Sequence, residues 1–579
     1  MNVLDKLGRG EIGKTLASQG GVLRTVLVFS MVINLLMLAP SIYMLQVYDR
    51  ALPSGNQTTL LMLTLLMLLF FIFISAMEYV RSLVVIRVGS RIDLELNKRV
   101  YTAAFEQNLK KVGSPAGQAL GDLATLRQFV TGNGLFAFMD VPWFPIYLVV
   151  MFLFDVWIGV FAVVGAGILV ALAVINERVS HKPLSETSKL QVQSNTQATN
   201  TLRNAEVIEA MGMLPSLRGR WFESHEKYLT ETARVSEKLG TISATTRFVR
   251  LSVQSLVLGL GAYLVMIGEM TPGLMIAGSI LMGKVLGPVE LLINVWRQWA
   301  GVRSAYERLS KLLEENPPRE TGMPLPAPKG LVSVESVTAG PPGTRQAVLN
   351  NVSFKLEPGD VLAVVGPSGS GKSTLARLLV GVWAPQLGKV RLDGADLSQW
   401  NKDLLGPHLG YLPQDIELFA GTVAQNISRF GQSDSARVIA AAQQAGVHEM
   451  ILRFPKGYDT ELTDDGASLS AGQRQRIGLA RALYGAPSLI VLDEPNSNLD
   501  EAGEMALAQT LRMLRESQRT VVLISHRANV LQLSTKLAFI RDGQLQAFGP
   551  TQQVLEAMAK AQQQQAQAAA GQAAPQGGQ

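Results

Sequence analysis

The stretch VLAVVGPSGSGKSTLARLLVG, residues 361–381, contains a complete phosphate-binding loop. An apolar run that predicts a buried strand precedes the glycines, and a helical pattern follows them. Glycines let backbone N–H groups surround phosphate oxygens, while Lys372 reaches the outer phosphates and Ser373 ligates Mg²⁺. The stretch therefore predicts an α/β domain that binds a nucleoside triphosphate. Its loop residues are Gly366, Pro367, Ser368, Gly369, Ser370, Gly371, Lys372, Ser373 and Thr374.

A second apolar run, SLIVLDEP at residues 488–495, ends in two carboxylates. Phosphoryl transfer needs one group in the Mg²⁺ shell and another that orients the attacking water. We assign the first role to Asp493 and the second to Glu494. An acidic strand end alone is more often a plain cap, but a phosphate loop in the same chain favours the catalytic interpretation.

The N-terminal half is rich in long apolar runs. The chain has 579 residues, 17% of them charged, and a mean hydropathy of +0.20. These values are typical of a chain that lies partly in a bilayer and partly in water. The predicted fold is therefore a membrane all-α domain of six helices fused to an α/β phosphate-loop domain. The six predicted spans lie near residues 22–46, 58–85, 135–154, 156–178, 247–269 and 272–296.

The charge and the cysteine content of the chain exclude several kinds of partner and site. The net charge of +6 is expected from cationic loops beside membrane spans, and no nucleic-acid motif accompanies it, so no nucleic acid is expected as a partner. The chain has no cysteine, which excludes disulfides and thiolate metal sites. Residues 1–20 lack the apolar core of a cleavable signal peptide. The long basic connections predict that they, both termini and the nucleotide domain are cytoplasmic.

Composition divides the chain into five segments. Proline-rich sequence separates the membrane pattern from the phosphate-loop domain, and a glutamine- and alanine-rich run ends the chain. We assign this last run no function and expect it to be disordered. The predicted segments are a short cytoplasmic segment at 1–19, a transmembrane domain with long helical loops at 20–305, a linker at 306–330, the nucleotide-binding domain at 331–555, and a tail at 556–579.

The stretch LSAGQRQRIGLARAL, residues 469–483, resembles the signature sequence of the ATP-binding-cassette (ABC) ATPases. Further motifs of that family follow the same order, with Gln414 in YLPQD, Asp500 in SNLD and His526 in ISH. The resemblance implies that ATP is the nucleotide, that Gln414 and His526 act in catalysis, and that Gln414 is also a Mg²⁺ ligand.

The same resemblance implies a homodimer in which two cassettes enclose two ATP molecules head to tail. Ser470, Gly472 and Gln473 of one subunit would then contact the ATP held by the other, and Asp500 would lie at the same interface. Two departures from the family pattern are present. Ala471 stands where glycine is commoner, and residues 336–344 offer no aromatic residue to stack on adenine, so we assign no adenine contact.

The stretch MDVPWFPIYLVVMFLF, residues 139–154, resembles the equivalent span of the type I secretion ATPases. A carboxylate and two prolines are unusual at the start of an apolar span. One interpretation places Asp140 at a hydrated cytoplasmic entrance for cargo. The alternative is that Asp140 caps a helix that begins at Val141 or Pro142. Lys284 and Glu290 in the sixth span are further pathway candidates, and pairing with another helix is their alternative role.

The likeness to type I secretion ATPases covers about residues 20–555 and is strongest for the branch that exports proteases, lipases and haemophores. It implies an inner-membrane exporter of an unfolded polypeptide that carries a C-terminal signal. Its partners would be a periplasmic adaptor, an outer-membrane channel and the secreted protein. A lipid or drug exporter would have the same architecture and ATP chemistry. A nucleotide-gated channel or regulator without turnover is the alternative from another class, and the presence of Glu494 and His526 argues against it.

Overall fold

The computed structural model describes residues 10–111, 116–319, 324–344, 346–463, 466, 468–525, 527 and 531–560. These residues form two compact units. One comprises Met1–Asn108 and Val112–Pro318, and the other comprises Leu109–Lys111 and Arg319–Gln579. His526 and residues 561–579 lie outside the described residues, so the predicted switch histidine and most of the predicted tail have no structural account.

The first unit contains helices and no strand among its described residues. A π-helical segment, Val47–Ala51, and one further turn, Leu52–Ser54, follow α3, and a 3₁₀ turn, Val141–Trp143, joins α6 to α7. The α-helices are α1 (Glu11–Ser18), α2 (Gly20–Leu36), α3 (Ala39–Gln46), α4 (Gln57–Lys110), α5 (Ala116–Thr131), α6 (Asn133–Asp140), α7 (Phe144–Phe154), α8 (Val156–Arg203), α9 (Ala205–Ala210), α10 (Leu214–Met266) and α11 (Pro272–Glu315).

Six helical segments in the described part of the chain are long and apolar enough to cross a bilayer, which confirms the predicted number of spans. The 54 residues of α4 extend about 81 Å at 1.5 Å per residue, whereas a hydrocarbon core is about 30 Å thick. The long basic connections are thus helical extensions of the spans. The six segments are Gly20–Ser54, Gln57–Lys110, Asn133–Phe154, Val156–Ser180, Leu214–Met266 and Pro272–Trp296.

Side-chain caps begin the two helices that follow the tight connections. Asp155 accepts hydrogen bonds from the backbone N–H groups of Trp157 and Ile158, at 2.8 and 3.2 Å, where α8 begins. Thr271 accepts from Leu274 N at 3.3 Å where α11 begins. Asp49, in the π-helical segment, accepts from Gly273 N at 2.8 Å and from the Thr271 hydroxyl at 2.6 Å. These contacts satisfy backbone donors that a helix start leaves without partners.

The last helix of this unit is longer than the sequence predicted. We placed residues 306–315 in the linker, but α11 continues to Glu315. Leu309 and Leu313 are buried in a cluster with residues of α4 and α5, and Arg308 donates to Asp122 at 2.8 Å. The helix continues because these buried contacts stabilise it, and the proline-rich sequence begins only after it ends.

The second unit is an α/β domain with three sheets in its described residues. The six-stranded sheet has the order β12-β11-β3-β10-β9-β6, the four-stranded sheet β2-β1-β4-β5, and β7 pairs with β8. The strands are β1 (Val332–Ala339), β2 (Leu349–Leu356), β3 (Val361–Val365), β4 (Leu387–Leu392), β5 (Ala395–Asp396), β6 (Leu409–Leu412), β7 (Gly421–Thr422), β8 (Glu461–Leu462), β9 (Leu489–Asp493), β10 (Thr520–Ile524), β11 (Lys536–Arg541) and β12 (Gln544–Pro550).

Helices cover the six-stranded sheet, and every residue of β3, β9 and β10 is buried. Successive side chains of a strand point to opposite faces, so Leu362 packs in one core cluster and Val361 in another. The helices are α12 (Lys372–Leu379), α13 (Lys402–Leu405), α14 (Val423–Ile427), α15 (Ser435–Gln444), α16 (His448–Leu452), α17 (Ala471–Leu483) and α18 (Glu501–Glu516). Residues 551–560 are also helical, so the first residues assigned to the tail continue a helix.

The topology gathers the predicted motifs at one edge. Strands β3, β10, β9 and β6 are mutually parallel along their pairings. Parallel strands end at the same edge of a sheet, so the segments after Val365, Leu412, Asp493 and Ile524 lie together there. The fold prediction, six membrane helices and an α/β phosphate-loop domain, is confirmed.

Candidate active site

The predicted phosphate-binding loop joins β3 to α12. Gly366 has φ 157° and Gly371 has φ 100°. A Cβ atom at Gly366 would collide with the carbonyl oxygen of Ile540, so no larger residue fits there without a backbone shift. Gly371 is the N-cap of α12 in left-handed conformation, which glycine adopts without steric cost. The first N–H groups of α12, which a helix start leaves without backbone partners, follow the loop directly and are available to bind an anion.

Lys372 is folded back on this loop. Its Nζ donates to the carbonyl oxygens of Gly366 and Pro367, at 2.8 and 2.9 Å. Burial lowers the pKa of Lys372, and the carboxylates of Glu494 and Asp493 act in the opposite direction. The ammonium group is thus held where phosphate oxygens can replace backbone carbonyls as its acceptors.

Two buried oxygens at the site fit a metal-bound nucleotide. Ser370 Oγ and Asp493 Oδ1 have no hydrogen-bond partner among the described residues, although both residues are only 3% exposed. Burial raises the pKa of Asp493, the Ser373 hydroxyl lowers it by hydrogen bonding, and Glu494 raises it further. A buried carboxylate oxygen that lacks a donor, beside a hydroxyl, is a donor set suited to Mg²⁺, which prefers hard oxygen ligands.

Glu494 occupies a strained backbone position directly after β9. Its φ is 51°, a left-handed value that is uncommon for residues other than glycine and is found often at active sites. Its N–H donates to Ile524 O at 3.0 Å, which ties the end of β9 to the end of β10. Gln414 Nε2 donates to Glu494 Oε2 at 3.2 Å. The structure thus brings together Gln414 and Glu494, two residues that are far apart in sequence.

The signature sequence forms the first turns of α17. Ser470 caps this helix by accepting from Gln473 N at 3.2 Å, and Gln473 Oε1 accepts from Ser470 N at 2.9 Å. This capping box fixes the helix start. A Cβ atom at Gly472 would lie 2.7 Å from Asn498 O, so the helix closely approaches the segment 497–500 that follows β9.

Asp500 has a structural role in the protomer. It caps α18 by accepting from Gly503 N at 2.9 Å, and it forms an ion pair with Arg476 of α17. The Gly503 N–H lowers the pKa of Asp500, and Arg476 lowers it further. Two partners that the sequence did not predict, Gln475 and Arg476, therefore connect α17 to the segment 497–500. The residue that could have indicated this contact in the sequence is Gln475, a polar residue in the signature helix. In the structure it lies on the buried face of α17 and is only 2% exposed.

Each of the three candidates in the membrane unit contacts another segment of that unit. Asp140 Oδ1 lies 2.9 Å from Arg81 Nη1 and accepts from Asn34 Nδ2 at 3.2 Å. Asp140 makes no capping hydrogen bond to the 3₁₀ turn that follows it, within the described residues. Capping as its explanation is therefore wrong, because the ion pair with Arg81 turns the carboxylate toward α4.

The other two candidates lie on α11. Glu290 Oε2 lies 2.6 Å from Arg250 Nε of α10, and Lys284 Nζ lies 3.3 Å from the sulfur of Met37. Each of these contacts joins α11 to another segment of the membrane unit. A role in the substrate pathway stays a prediction for Asp140, Lys284 and Glu290.

Comparison with known proteins supplies the family. The family model described as the ABC transporter transmembrane region matches residues 23–289, and that described as the ABC transporter matches residues 349–497. The solved structure of a bacterial Atm1-family ABC exporter with ATP bound superposes with a TM-score of 0.81, over 97% of this chain and all of that chain, at 23% identity. That likeness shows the exporter fold.

Proteins with similar sequences show to which ABC exporters the chain is related. The type I secretion system ATP-binding protein PrsD of Rhizobium meliloti is 43% identical over 93% of this chain and 92% of its own length. The cyclolysin secretion/processing ATP-binding protein CyaB of Bordetella pertussis is 28% identical over 92% of this chain and 75% of its own length. The leukotoxin translocation ATP-binding protein LktB of Mannheimia haemolytica is also 28% identical, over 92% of this chain and 76% of its own length. The chain is therefore a multi-pass membrane protein of the ABC transporter family, an ATP-driven exporter related to the type I secretion ATPases.

Proposed function

We propose that this exporter is the inner-membrane ATPase of a type I secretion system and translocates an unfolded polypeptide with a C-terminal signal. The observation that carries the proposal is the 43% identity to PrsD over nearly the full length of both chains. Two further relatives are named for what they export: CyaB for cyclolysin secretion and processing, and LktB for leukotoxin translocation. A secreted protease, lipase or similar protein is the proposed cargo class. A lipid or drug exporter remains the competing function.

The proposed chemistry is hydrolysis of ATP at the edge of the six-stranded sheet. Residues 366–374 would hold the phosphates, with Lys372 on the outer ones. Ser373, Asp493 and Gln414 would hold Mg²⁺, which neutralises charge that develops on the phosphate oxygens. Glu494 would orient the attacking water and draw its proton, since its carboxylate is held by Gln414 at the same edge. His526 keeps its proposed catalytic role from the sequence.

We further propose a homodimer with composite sites. Ser470 caps helix α17, and the Ser470 hydroxyl and the Gly472 N–H would bind the γ-phosphate of ATP held by the partner subunit. Gln473 and Asp500 would lie at the same interface. In this arrangement ATP is enclosed by two cassettes, and hydrolysis releases them, which drives the membrane helices between two states.

The proposed assembly spans the envelope of a Gram-negative bacterium. A periplasmic adaptor and an outer-membrane channel would continue the path, while the nucleotide-binding domain faces the cytoplasm. The ion pairs of Asp140 and Glu290 explain how charged side chains are tolerated within spans. Asp140 retains a 24% exposed side chain from which it can contact cargo.

Secretion tests the proposal directly. The gene is deleted in its native host, and the proteins of the culture medium are compared with those of strains carrying the parental gene or Glu494→Gln. Loss of a polypeptide on deletion, restored by the parental gene and not by Glu494→Gln, is expected. The C-terminal segment of that polypeptide should direct a fused reporter into the medium. An unchanged medium, together with altered lipid or drug export, would instead establish the competing function.

A further inference from the structure

We propose that Gln475 is a positioning residue that couples the signature helix α17 to the carboxylate of Glu494. The inference rests on the catalytic role proposed above for Glu494. Gln475 does not belong to the phosphate-binding loop, and its side chain does not reach the carboxylate of Glu494. It acts instead through the backbone that determines where this carboxylate points.

The Gln475 side chain uses both ends of its amide. Nε2 donates to the carbonyl oxygen of Glu494 at 3.1 Å and to Ser497 Oγ at 3.3 Å, while Oε1 accepts from Asn498 N at 2.9 Å. The residue is only 2% exposed. Water therefore has little access to replace these bonds, and each donor or acceptor left without a partner would carry a desolvation penalty.

The bond to Glu494 acts on a strained peptide. Glu494 has φ 51°, and its N–H is fixed by Ile524 O at 3.0 Å on one side. Its carbonyl is fixed on the other side by Gln475 and by the N–H of Ser497 at 3.2 Å. A left-handed residue persists only where its surroundings hold it. Without the Gln475 amide, rotation of this peptide would displace the carboxylate from the attacking water.

The same turn of α17 holds the segment 497–500 at a second point. Arg476, the next residue, forms an ion pair with Asp500, and Gly472 approaches Asn498 O closely. An α-helix moves as a rigid unit over a few turns because its backbone hydrogen bonds are internal. A displacement of the α17 N-terminus by nucleotide would therefore reach Glu494 of the same chain through Gln475.

This arrangement has a consequence for the proposed dimer. The N-terminus of α17 is proposed to contact ATP bound by the partner subunit, whereas Glu494 acts on ATP bound by its own chain. Gln475 thereby makes the catalytic geometry of one site depend on occupancy of the other. Three hydrogen bonds of the Gln475 side chain carry this coupling. A substitution that removes the amide of Gln475 therefore tests it.

The test uses the full-length exporter in detergent or vesicles, with ATP as the probe. Gln475→Met keeps the approximate volume but removes the amide, and Gln509→Met, at an exposed position of α18, is the matched control. For Gln475→Met we expect kcat to fall by up to about 100-fold, since small displacements of a catalytic group have effects of this size. We expect the Kd for ATP to stay close to the parental value, as for Gln509→Met. The unfolding temperature should fall, because the buried N–H of Asn498 is left without its acceptor.

A double variant with Gln475→Met and Glu494→Gln shows whether Gln475 acts through Glu494. If Gln475 acts through Glu494, Gln475→Met should slow the Glu494→Gln protein by less than about twofold further, because the two effects are not independent. A full additional loss would overturn the proposal. So would a kcat within about twofold of the parent, or a loss confined to ATP affinity.

Two controls keep the proposal falsifiable. If Gln475→Met fails to fold, Gln475→Asn decides, because it keeps a polar amide but shortens the side chain by one methylene, which draws the amide away from Glu494 O and Asn498 N. A folded Gln475→Asn protein with parental kcat would then overturn the proposal. If Glu494→Gln itself hydrolyses ATP at the parental rate, the proposed role of Glu494 fails, which is distinct from a failure of Gln475 alone.

Discussion

The guanidinium group of Arg81 in α4 lies 2.9 Å from the carboxylate of Asp140 at the end of α6. Arg81 Nη1 also donates to Ser30 Oγ of α2 at 2.8 Å, and Asn34 of the same helix donates to Asp140. The Arg81 side chain is 8% exposed. One ion pair therefore joins three helices at the start of the third span, and each partner explains why the other charge is tolerated there.

The first prediction concerns this ion pair. Asp140→Asn keeps the size of the side chain but leaves the Arg81 charge without a counter-ion among the described residues. Removal of one partner of a buried pair typically costs about 3 to 5 kcal/mol, so a clear fall in the unfolding temperature of the detergent-solubilised protein is expected. The Arg81→Met, Asp140→Leu double variant should recover much of the loss. An Asp140→Asn protein with parental unfolding temperature would contradict a stabilising role for the pair.

The second prediction uses Asp155 as the contrasting case. Its carboxylate accepts from the N–H groups of Trp157 and Ile158, so it is a true helix cap. Asp155→Asn should change the free energy of unfolding by only a few tenths of a kcal/mol, and Asp155→Ala should cost about 1 kcal/mol. The same unfolding measurement in detergent reports both variants. An Asp155→Asn variant as unstable as Asp155→Ala would show that charge, rather than capping, matters there.

The contrast between Asp140 and Asp155 shows what the sequence could predict. Spans, hairpins and the glycine loop between β3 and α12 are encoded by neighbouring residues, through apolar length, capping residues and glycine spacing, and these were predictable. The partner of Asp140 was not, because Arg81 is 59 positions away and hydrophobic patterns do not specify long-range pairs. The left-handed conformation of Glu494 and its contact with Gln475 were missed for the same reason. The end of α11 was missed because tertiary burial of Leu309 and Leu313 extends the helix.

The third prediction concerns nucleotide binding. Lys372 Nζ now bonds the carbonyl oxygens of Gly366 and Pro367, and phosphate oxygens would be stronger, charged acceptors. A hydrogen bond to a charged group contributes about 1.5 to 3 kcal/mol, so Lys372→Ala should weaken ATP binding by about 10- to 100-fold. Equilibrium binding of a fluorescent ATP analogue measures the change. Lys389→Ala, at an exposed position of β4, should bind like the parent. Equal affinity of the Lys372→Ala protein would refute the assignment of the phosphate-binding loop.

The last prediction separates sites formed within one chain from sites shared by two. Chains with Gly472→Asp keep Lys372 but place a negative charge at the N-terminus of α17, and chains with Lys372→Ala keep an intact α17. If ATP is bound between subunits, the mixed dimer has one intact composite site, whereas each homodimer has none. Differently tagged chains are co-purified, and photo-crosslinked ATP analogue is counted per mixed dimer.

One labelled nucleotide per mixed dimer, with both homodimers defective, is the expected result. Because a Cβ atom at Gly472 would lie 2.7 Å from Asn498 O, Gly472→Ala is the control that adds crowding without charge. Gly472→Ala homodimers should retain more labelling than Gly472→Asp homodimers, since the added carboxylate repels the γ-phosphate at about 1 kcal/mol or more per charge pair. If each chain served only its own nucleotide, both sites of the mixed dimer would be defective, and its labelling would be no greater than that of the homodimers. That outcome would remove Ser470 and Gly472 from the partner's site and would break the link from α17 to the opposite nucleotide on which the coupling role of Gln475 depends.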